Sequence, residues 1–316
     1  MLRRLTLCLG LASILGACDP VVPIAPIEDS EFEGFTVYSV IPDNPVGIVY
    51  LFHGSGGSAN FALKIETLDQ SNELVRRGYG WVATESTERD GNRRWNVNNP
   101  SIASNQDLAR LARLHAHIVD SGAVTDATPI FGIGMSNGAR MVTLFGQVFA
   151  DNGYPIVAVA PVMGRAAPSV QLAGGLQIPG YWVNAVNDTV VPPAGVAQDQ
   201  QASAALGVTS VLARKGEENL LPIRFTRIPA VDVEEAELIY DQLAASGVWD
   251  ANGKRVVDLG TAVSIVAGLT PPPGTGATVT QIRNQISALL ALHQFTALYA
   301  LPLADFFDAQ RLAAEP

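Results

Sequence analysis

Short, almost continuous apolar segments alternate with amphipathic segments of helix length between residues 35 and 213. Apolar segments of this kind are typical of strands buried on both faces, as parallel sheets require. The predicted strands are 35–41, 46–52, 81–84, 129–135, 156–162, 181–186 and 208–213, and the predicted helices are 60–77, 104–120, 137–149 and 194–206. This alternation predicts an α/β fold with a doubly wound, mostly parallel sheet flanked by helices.

The pattern changes after residue 213. Residues 214–280 contain one clear amphipathic helix, 233–245, and a loop rich in proline and glycine, 269–277. From about residue 281 the pattern is helical again, and it continues through His293. We therefore expect one domain over residues 33–311, in which 214–280 is a C-terminal insertion before the last helices. The insertion is either a lid or a long connection.

Composition excludes several classes of function. Hydrophobic residues make up 48% of the 316 residues and charged residues 16%, a composition that excludes intrinsic disorder. The net charge of −10 offers no basic surface and argues against nucleic acid as a partner. The sequence has no H-E-x-x-H motif and no Cys/His cluster, so we expect neither a metal nor another cofactor.

The N-terminus has the pattern of an export signal. Arg3 and Arg4 precede an apolar run, 5–15, that is too short to span a membrane. Residues 15–18 (LGAC) are similar to a bacterial lipobox, in which the cysteine is lipidated and becomes the new N-terminus. The alternative is a plain secretory signal in which Cys18 is incidental.

These features predict how the mature protein is attached to a membrane. We expect a lipoprotein signal peptide at 1–17, a lipid anchor on Cys18 and a proline-containing tether at 18–32. The protein would then be exported and bound to a membrane through that anchor, at the periplasmic face or the cell surface.

The segment 134–138 (GMSNG) matches G-x-S-x-G, with Ser136 at its centre. It joins a predicted strand to a predicted helix, which is the context in which this motif presents a nucleophilic serine above a sheet. Small flanking residues are needed because the turn is sharp, and the helix N-terminus favours developing negative charge. We predict that Ser136 is a nucleophile, the alternative being a structural glycine turn.

The segment 53–57 (HGSGG) follows another predicted strand. Its small residues leave backbone amides open, and the amide of Ser55 or Gly56 together with that of Asn137 would form an oxyanion hole. We expect His53 to support this loop beside the substrate pocket rather than to act as a base. A phosphate-binding loop is the alternative, but no G-K-[ST] sequence follows.

Asp188 follows the predicted strand 181–186 and is placed to orient an imidazole. It could instead cap a local turn, in which case Asp199 is the fallback acid. Among the four histidines, His115 and His117 lie on a helix before the nucleophile strand and His53 lies in the glycine loop. Elimination leaves His293 as the general base, in the chain order serine, aspartate, histidine.

Three segments together resemble those of serine α/β-hydrolases: 50–57 (YLFHGSGG), 132–138 (GIGMSNG) and 187–192 (NDTVVP). Over residues 35–311 the chain is most similar to the group of poly(3-hydroxybutyrate) depolymerases and feruloyl-esterase-like enzymes. The resemblance implies an α/β-hydrolase fold and a polyester or hydroxycinnamoyl-type ester as substrate. The chain departs from that group in lacking a glycine- and tryptophan-rich loop around His293.

We expect an exported serine esterase that hydrolyses carboxylic esters, small or polymeric, through an acyl-enzyme on Ser136. The alternatives are a peptidase or amidase with the same triad, and a non-catalytic binding lipoprotein. Two further features of the segment 88–96 would shape its pocket. Trp95 is placed to stack on a substrate, and Arg93 or Arg94 to meet a carboxylate, unless this loop is merely solvated.

Overall fold

The computed structural model of the protein describes residues 20–315. The strands are β1 Glu28–Phe32, β2 Phe35–Val40, β3 Gly47–Phe52, β4 Tyr79–Thr84, β5 Ile130–Met135, β6 Ile156–Val162, β7 Gly180–Ala185 and β8 Ser210–Lys215. The α-helices are α1 Ile65–Arg76, α2 Gln106–Asp120, α3 Asn137–Asp151, α4 Pro168–Leu172, α5 Pro193–Ala205, α6 Val233–Ala244, α7 Leu259–Gly268, α8 Val279–Leu289 and α9 Ala300–Ala314. Short 3₁₀ helices lie at Ala59–Leu63 and Pro222–Arg224. The predicted signal peptide and Cys18 lie outside the described residues.

One sheet contains all eight strands, in the order β1-β2-β4-β3-β5-β6-β7-β8. β2 pairs antiparallel with β1 and with β4, whereas the pairings from β4 through β3 to β8 are parallel. The predicted α/β fold with a doubly wound, mostly parallel sheet flanked by helices is confirmed.

Both faces of the sheet are buried, as the apolar strands predict. Along β3, Tyr50 and Phe52 belong to one hydrophobic cluster, which includes residues of α2 and α3. Val49 and Leu51 belong to the cluster on the opposite face, which includes residues of α1 and α9. Successive strand side chains point to opposite faces, so a strand between two helical layers must be apolar throughout.

The first strand, β1, was not predicted. Residues 28–32, assigned to the tether 18–32, instead form β1, which makes a hairpin with β2. The turn between them uses positive φ at Glu33 (54°) and Gly34 (75°), the conformation of a tight hairpin turn. Glu28–Glu31 are exposed and lack an apolar pattern, because a charged edge strand buries little of either face.

The described chain divides into two compact units. One contains residues 23–216 and 291–315 and includes the whole sheet. The other contains residues 20–22 and 217–290, with α6, α7 and α8; of these helices α7 was not predicted. The second unit is closed at its ends by a hydrogen bond from Glu218 N–H to Leu289 O (2.9 Å). Whether this segment acts as a lid stays a prediction.

Every helix within residues 20–315 is too short or too polar to cross a membrane.

Candidate active site

Ser136 occupies a strained turn between β5 and α3. Its φ of 58° and ψ of −115° lie in a region that residues with a side chain rarely adopt, which costs roughly 1–3 kcal/mol. The turn is held because Ser136 N–H donates to Val162 O (3.0 Å) on the neighbouring strand. Strain of this kind survives only where surrounding packing imposes it, and it is concentrated at functional sites.

The glycines around Ser136 are required by close packing. A Cβ at Gly134 would overlap the carbonyl of Gly138, and a Cβ at Gly138 would overlap the carbonyl of Phe52 at the end of β3. A Cβ at Gly54 would lie 3.2 Å from Ser136 Cβ, so the loop after β3 lies directly against the serine. The G-x-S-x-G pattern therefore brings the loop 53–57 to Ser136.

Asp188 and His293 are in direct contact although 105 residues separate them: His293 Nδ1 lies 2.7 Å from Asp188 Oδ2. The other oxygen, Asp188 Oδ1, accepts the N–H groups of Val190 (2.9 Å) and Val191 (2.8 Å). Asp188 thus holds the local turn with one carboxylate oxygen and contacts the imidazole of His293 with the other. Because an ionised carboxylate only accepts, the neutral tautomer that fits this contact has its hydrogen on Nδ1 and a lone pair on Nε2.

These three residues lie in the chain after three different strands of one sheet. Ser136 follows β5, Asp188 follows β7, and His293 lies in the chain beyond β8. The strand order, with β2 antiparallel to its two neighbours in an otherwise parallel sheet, and the sharp turn from β5 into α3 together define the fold. This is an α/β-hydrolase fold.

The chain around His293 is a loop, so the prediction of a helix continuing through it was wrong. Helix α8 ends at Leu289, and Ala291 has a φ of 53°, which no helix residue adopts. His293 is the central residue of a tight turn closed by Gln294 N–H to Leu292 O (2.7 Å).

Tertiary contacts hold this loop within the hydrolase fold. Asn187 N–H, next to Asp188, donates to Ala291 O (3.1 Å). On the other side of His293, the buried Glu66 of α1 accepts Ala297 N–H at 2.7 Å. Glu66 was missed from the sequence, since a lone acid on a helix signals nothing about a loop 231 residues away.

The predicted oxyanion donors differ in availability. Gly56 N–H donates to Asn92 O (2.5 Å) and is occupied, so its assignment as a donor was wrong. Within residues 20–315, the N–H groups of Ser55 and Asn137 donate to no other group of the chain. The Asn137 N–H belongs to the first turn of α3, where helix geometry leaves amides without internal partners.

His53 is buried and both ring nitrogens are occupied. Nδ1 lies 2.7 Å from Gly54 O, and Ser86 N–H donates to Nε2 at 3.2 Å, which places the ring hydrogen on Nδ1. Burial lowers the pKa of His53 to about 4. A neutral ring with no free nitrogen supports its loop, as expected, and has no lone pair left with which to act as a base.

Trp95 lines the cleft beside Ser136, but the residue is only 2% exposed and offers little ring surface for stacking. Its indole N–H donates to His53 O (2.9 Å), and its backbone N–H donates to the side-chain oxygen of Asn137 (2.7 Å). The buried Asp107 of α2 holds the same loop by accepting the N–H groups of Thr87 and Asn96, both at 2.6 Å. Asp107 was also missed, because its partners are backbone groups.

Asp199, the fallback acid, is engaged elsewhere. It accepts Arg165 Nε (2.6 Å) and Nη2 (2.8 Å) and the N–H of Ala166 (2.8 Å). This bidentate pair raises the pKa of Arg165, which also lines the cleft that contains Ser136. The remaining histidines lie elsewhere: His115 is buried with Nδ1 3.0 Å from the Tyr50 hydroxyl, and His117 stacks on Phe32.

A cleft of about 560 Å³ opens beside Ser136. Ser55 and Asn137 lie on its wall with the serine, together with Arg94, Arg140 and Arg165. Its volume is in the range of small-molecule sites. Among residues 20–315, no group of three or more His, Cys, Asp or Glu side chains could hold a metal ion.

No protein-family model matches the chain, and no curated protein matches it. It resembles solved structures at low identity. An arylesterase is 14% identical, with 76% of this chain and 92% of that chain covered and a TM-score of 0.47. Acetyl xylan esterase from Aspergillus awamori is 13% identical (58% and 80% covered, TM-score 0.45). Est1E from Butyrivibrio proteoclasticus with ferulic acid bound is 14% identical (60% and 90% covered, TM-score 0.41).

Proposed function

We propose that the protein is a serine esterase that hydrolyses carboxylic esters, including polyester or hydroxycinnamoyl-type esters. The contact of 2.7 Å between His293 Nδ1 and Asp188 Oδ2 carries the proposal. It leaves a histidine nitrogen with a lone pair in the same fold as Ser136, which a strained turn holds against the cleft.

The reaction proceeds in two halves. Ser136 Oγ attacks the ester carbonyl while His293 Nε2 takes its proton, and the N–H groups of Ser55 and Asn137 stabilise the oxyanion. His293 then gives the proton to the leaving alcohol, which leaves an acyl group on Ser136. Water attacks this acyl-enzyme with the same assistance and releases the acid. Asp188 stabilises the imidazolium that forms in each half.

Labelling with a fluorophosphonate tests this function, because only an activated serine reacts with it. We expect labelling of the chain that lacks residues 1–17, and none of the same chain with Ser136→Ala. A panel of acyl esters and matched amides then reports the bond that is cleaved. An unlabelled wild-type chain would favour a non-catalytic binding protein, and faster cleavage of amides than of esters would favour a peptidase or amidase.

We further propose that the esterase is exported and anchored by lipid on Cys18. The charged start, the short apolar run and the LGAC segment at 15–18 support this proposal. Two or more acyl chains on one residue give stable membrane binding, at about 0.8 kcal/mol per buried CH₂.

The Cys18→Ser variant is expected to leave the membrane fraction and appear among soluble exported proteins. Fractionation followed by immunoblotting measures this, with Cys8→Ser as the matched control because Cys8 lies inside the segment that is removed. A Cys18→Ser chain that is exported but still sediments with membranes would contradict lipid anchoring.

A further inference from the structure

The cleft beside Ser136 carries three arginines that the esterase reaction does not use. Arg94 comes from the loop after β4, Arg140 from the first turns of α3 and Arg165 from the loop after β6. The whole chain is acidic, with 20 Lys and Arg against 30 Asp and Glu. Three positively charged side chains on one wall of the cleft therefore contrast with the net negative charge of the chain.

Two of these guanidinium groups are available to a ligand. Arg165 is paired bidentately with Asp199. Arg94 and Arg140 are exposed, and within residues 20–315 their side chains make no hydrogen bond or ion pair. The planar guanidinium group of an arginine can bind a carboxylate through two parallel hydrogen bonds.

The acids on the same wall do not neutralise Arg94 and Arg140. Asp107 uses both carboxylate oxygens to accept backbone N–H groups. Glu88 accepts the backbone N–H of Arg94 at 2.7 Å rather than its guanidinium. Because Asp199 already pairs with Arg165, the wall offers two unpaired guanidinium groups, which suit one carboxylate group.

Arg140 lies one helical turn beyond Ser136 on the helix that begins at the nucleophile. A turn rises about 5.4 Å along the axis, and Arg140 and Ser136 line the same cleft, so one small substrate can span both residues. We propose that the substrate is an ester that also carries a free carboxylate, bound by Arg140 and Arg94 within about six atoms of the scissile bond. Half-esters of dicarboxylic acids and the acid ends of hydroxyacid oligomers have this chemistry. The proposal rests on the proposed esterase function.

Two matched pairs of substrates test it with the full chain. Monomethyl adipate is compared with dimethyl adipate, which places the carboxylate in the acyl part. The 6-acetoxyhexanoate anion is compared with its methyl ester by release of acetate, which places the carboxylate in the alcohol part. In at least one pair we expect kcat/KM to be about tenfold higher for the charged ester, and the preference to shrink as NaCl is added.

The variants Arg140→Gln and Arg94→Gln should each lower this charged-to-neutral ratio at least fivefold or so, mainly through KM. Arg214→Gln is the matched control, because Arg214 is an exposed arginine of β8 that does not line the cleft, and the ratio should stay as in wild type. Equal rates within both pairs, or a ratio that neither variant moves, would overturn the proposal.

These measurements distinguish a failure of the carboxylate site from a failure of the proposed esterase function. Hydrolysis of the neutral esters that is lost in Ser136→Ala, without a preference for the charged ones, contradicts only the carboxylate site. No hydrolysis of any of the four substrates that depends on Ser136 contradicts the esterase function and the carboxylate site with it.

Discussion

The Ser136→Ala variant is expected to hydrolyse esters at least about 10³-fold more slowly than wild type in kcat, with its fold retained. The substitution removes the hydroxyl that forms the acyl-enzyme. It leaves the backbone hydrogen bond from residue 136 to Val162 O, and alanine has no larger side chain to strain the turn. Steady-state kinetics on a neutral ester and thermal unfolding by circular dichroism measure the two parts of this prediction.

Ser30→Ala is the matched control, since Ser30 lies on the exposed edge strand β1 and far along the chain from any site residue. It should keep wild-type rates. If Ser136→Ala retains more than about a tenth of the wild-type rate, the hydrolysis comes from another nucleophile. If it unfolds, the failed labelling of this variant says nothing about chemistry, and Ser136→Cys should be labelled by a thiol reagent instead.

The sheet was predictable because its central strands are buried on both faces, so hydropathy alone reveals them. The predicted boundaries of the strands from 46–52 to 208–213 lie within two residues of those observed. The strand β1 was missed for the opposite reason: Glu28–Glu31 are solvent-exposed and are paired with β2 without being packed in the core. Hydropathy therefore predicts where a strand is packed and misses a strand that is paired without being packed.

The geometry of the candidate site was predictable where it depends only on residues that are close together in the sequence. A nucleophile turn needs glycines within two residues of the serine, and that requirement is written into the segment 134–138. The loop around His293 is different. Residues 290–292 (LAL) form helices readily, but in the structure they follow the end of the helix, and Asn187 and Glu66 bind the chain on either side of His293.

Hydrogen bonds from a side chain to the backbone of a distant loop leave no pattern in a single sequence. Asp107 and Trp95 position the cleft by binding backbone groups, whose identity as partners depends on tertiary structure alone. The same limit explains Gly56: a glycine in a loop predicts an open amide, and only the fold reveals that Asn92 occupies it.

Removing the imidazole of His293 should lower kcat about as steeply as Ser136→Ala does, because an unassisted serine hydroxyl is a poor nucleophile. His293→Ala is expected to fold, since the loop keeps its backbone anchors at Ala291 and Ala297. The double variant with Ser136→Ala should be scarcely slower than either single variant, because members of a triad act as a unit. Kinetics on a neutral ester for the three variants, with a thermal melt of each, measures these expectations.

His53→Ala tests whether the base is His53, in the loop beside the serine, instead of the proposed His293. It removes the acceptor of Ser86 N–H in a buried position, which costs roughly 1–3 kcal/mol, so its main effect should be a lower unfolding temperature. His293 is 17% exposed and should show the reverse, a loss of rate with little loss of stability. If His293→Ala keeps more than about a tenth of the wild-type rate while a folded His53→Ala is inactive, the contact between His293 and Asp188 is structural. The base must then be His53, which would have to leave Ser86 and Gly54 during the reaction to free a ring nitrogen.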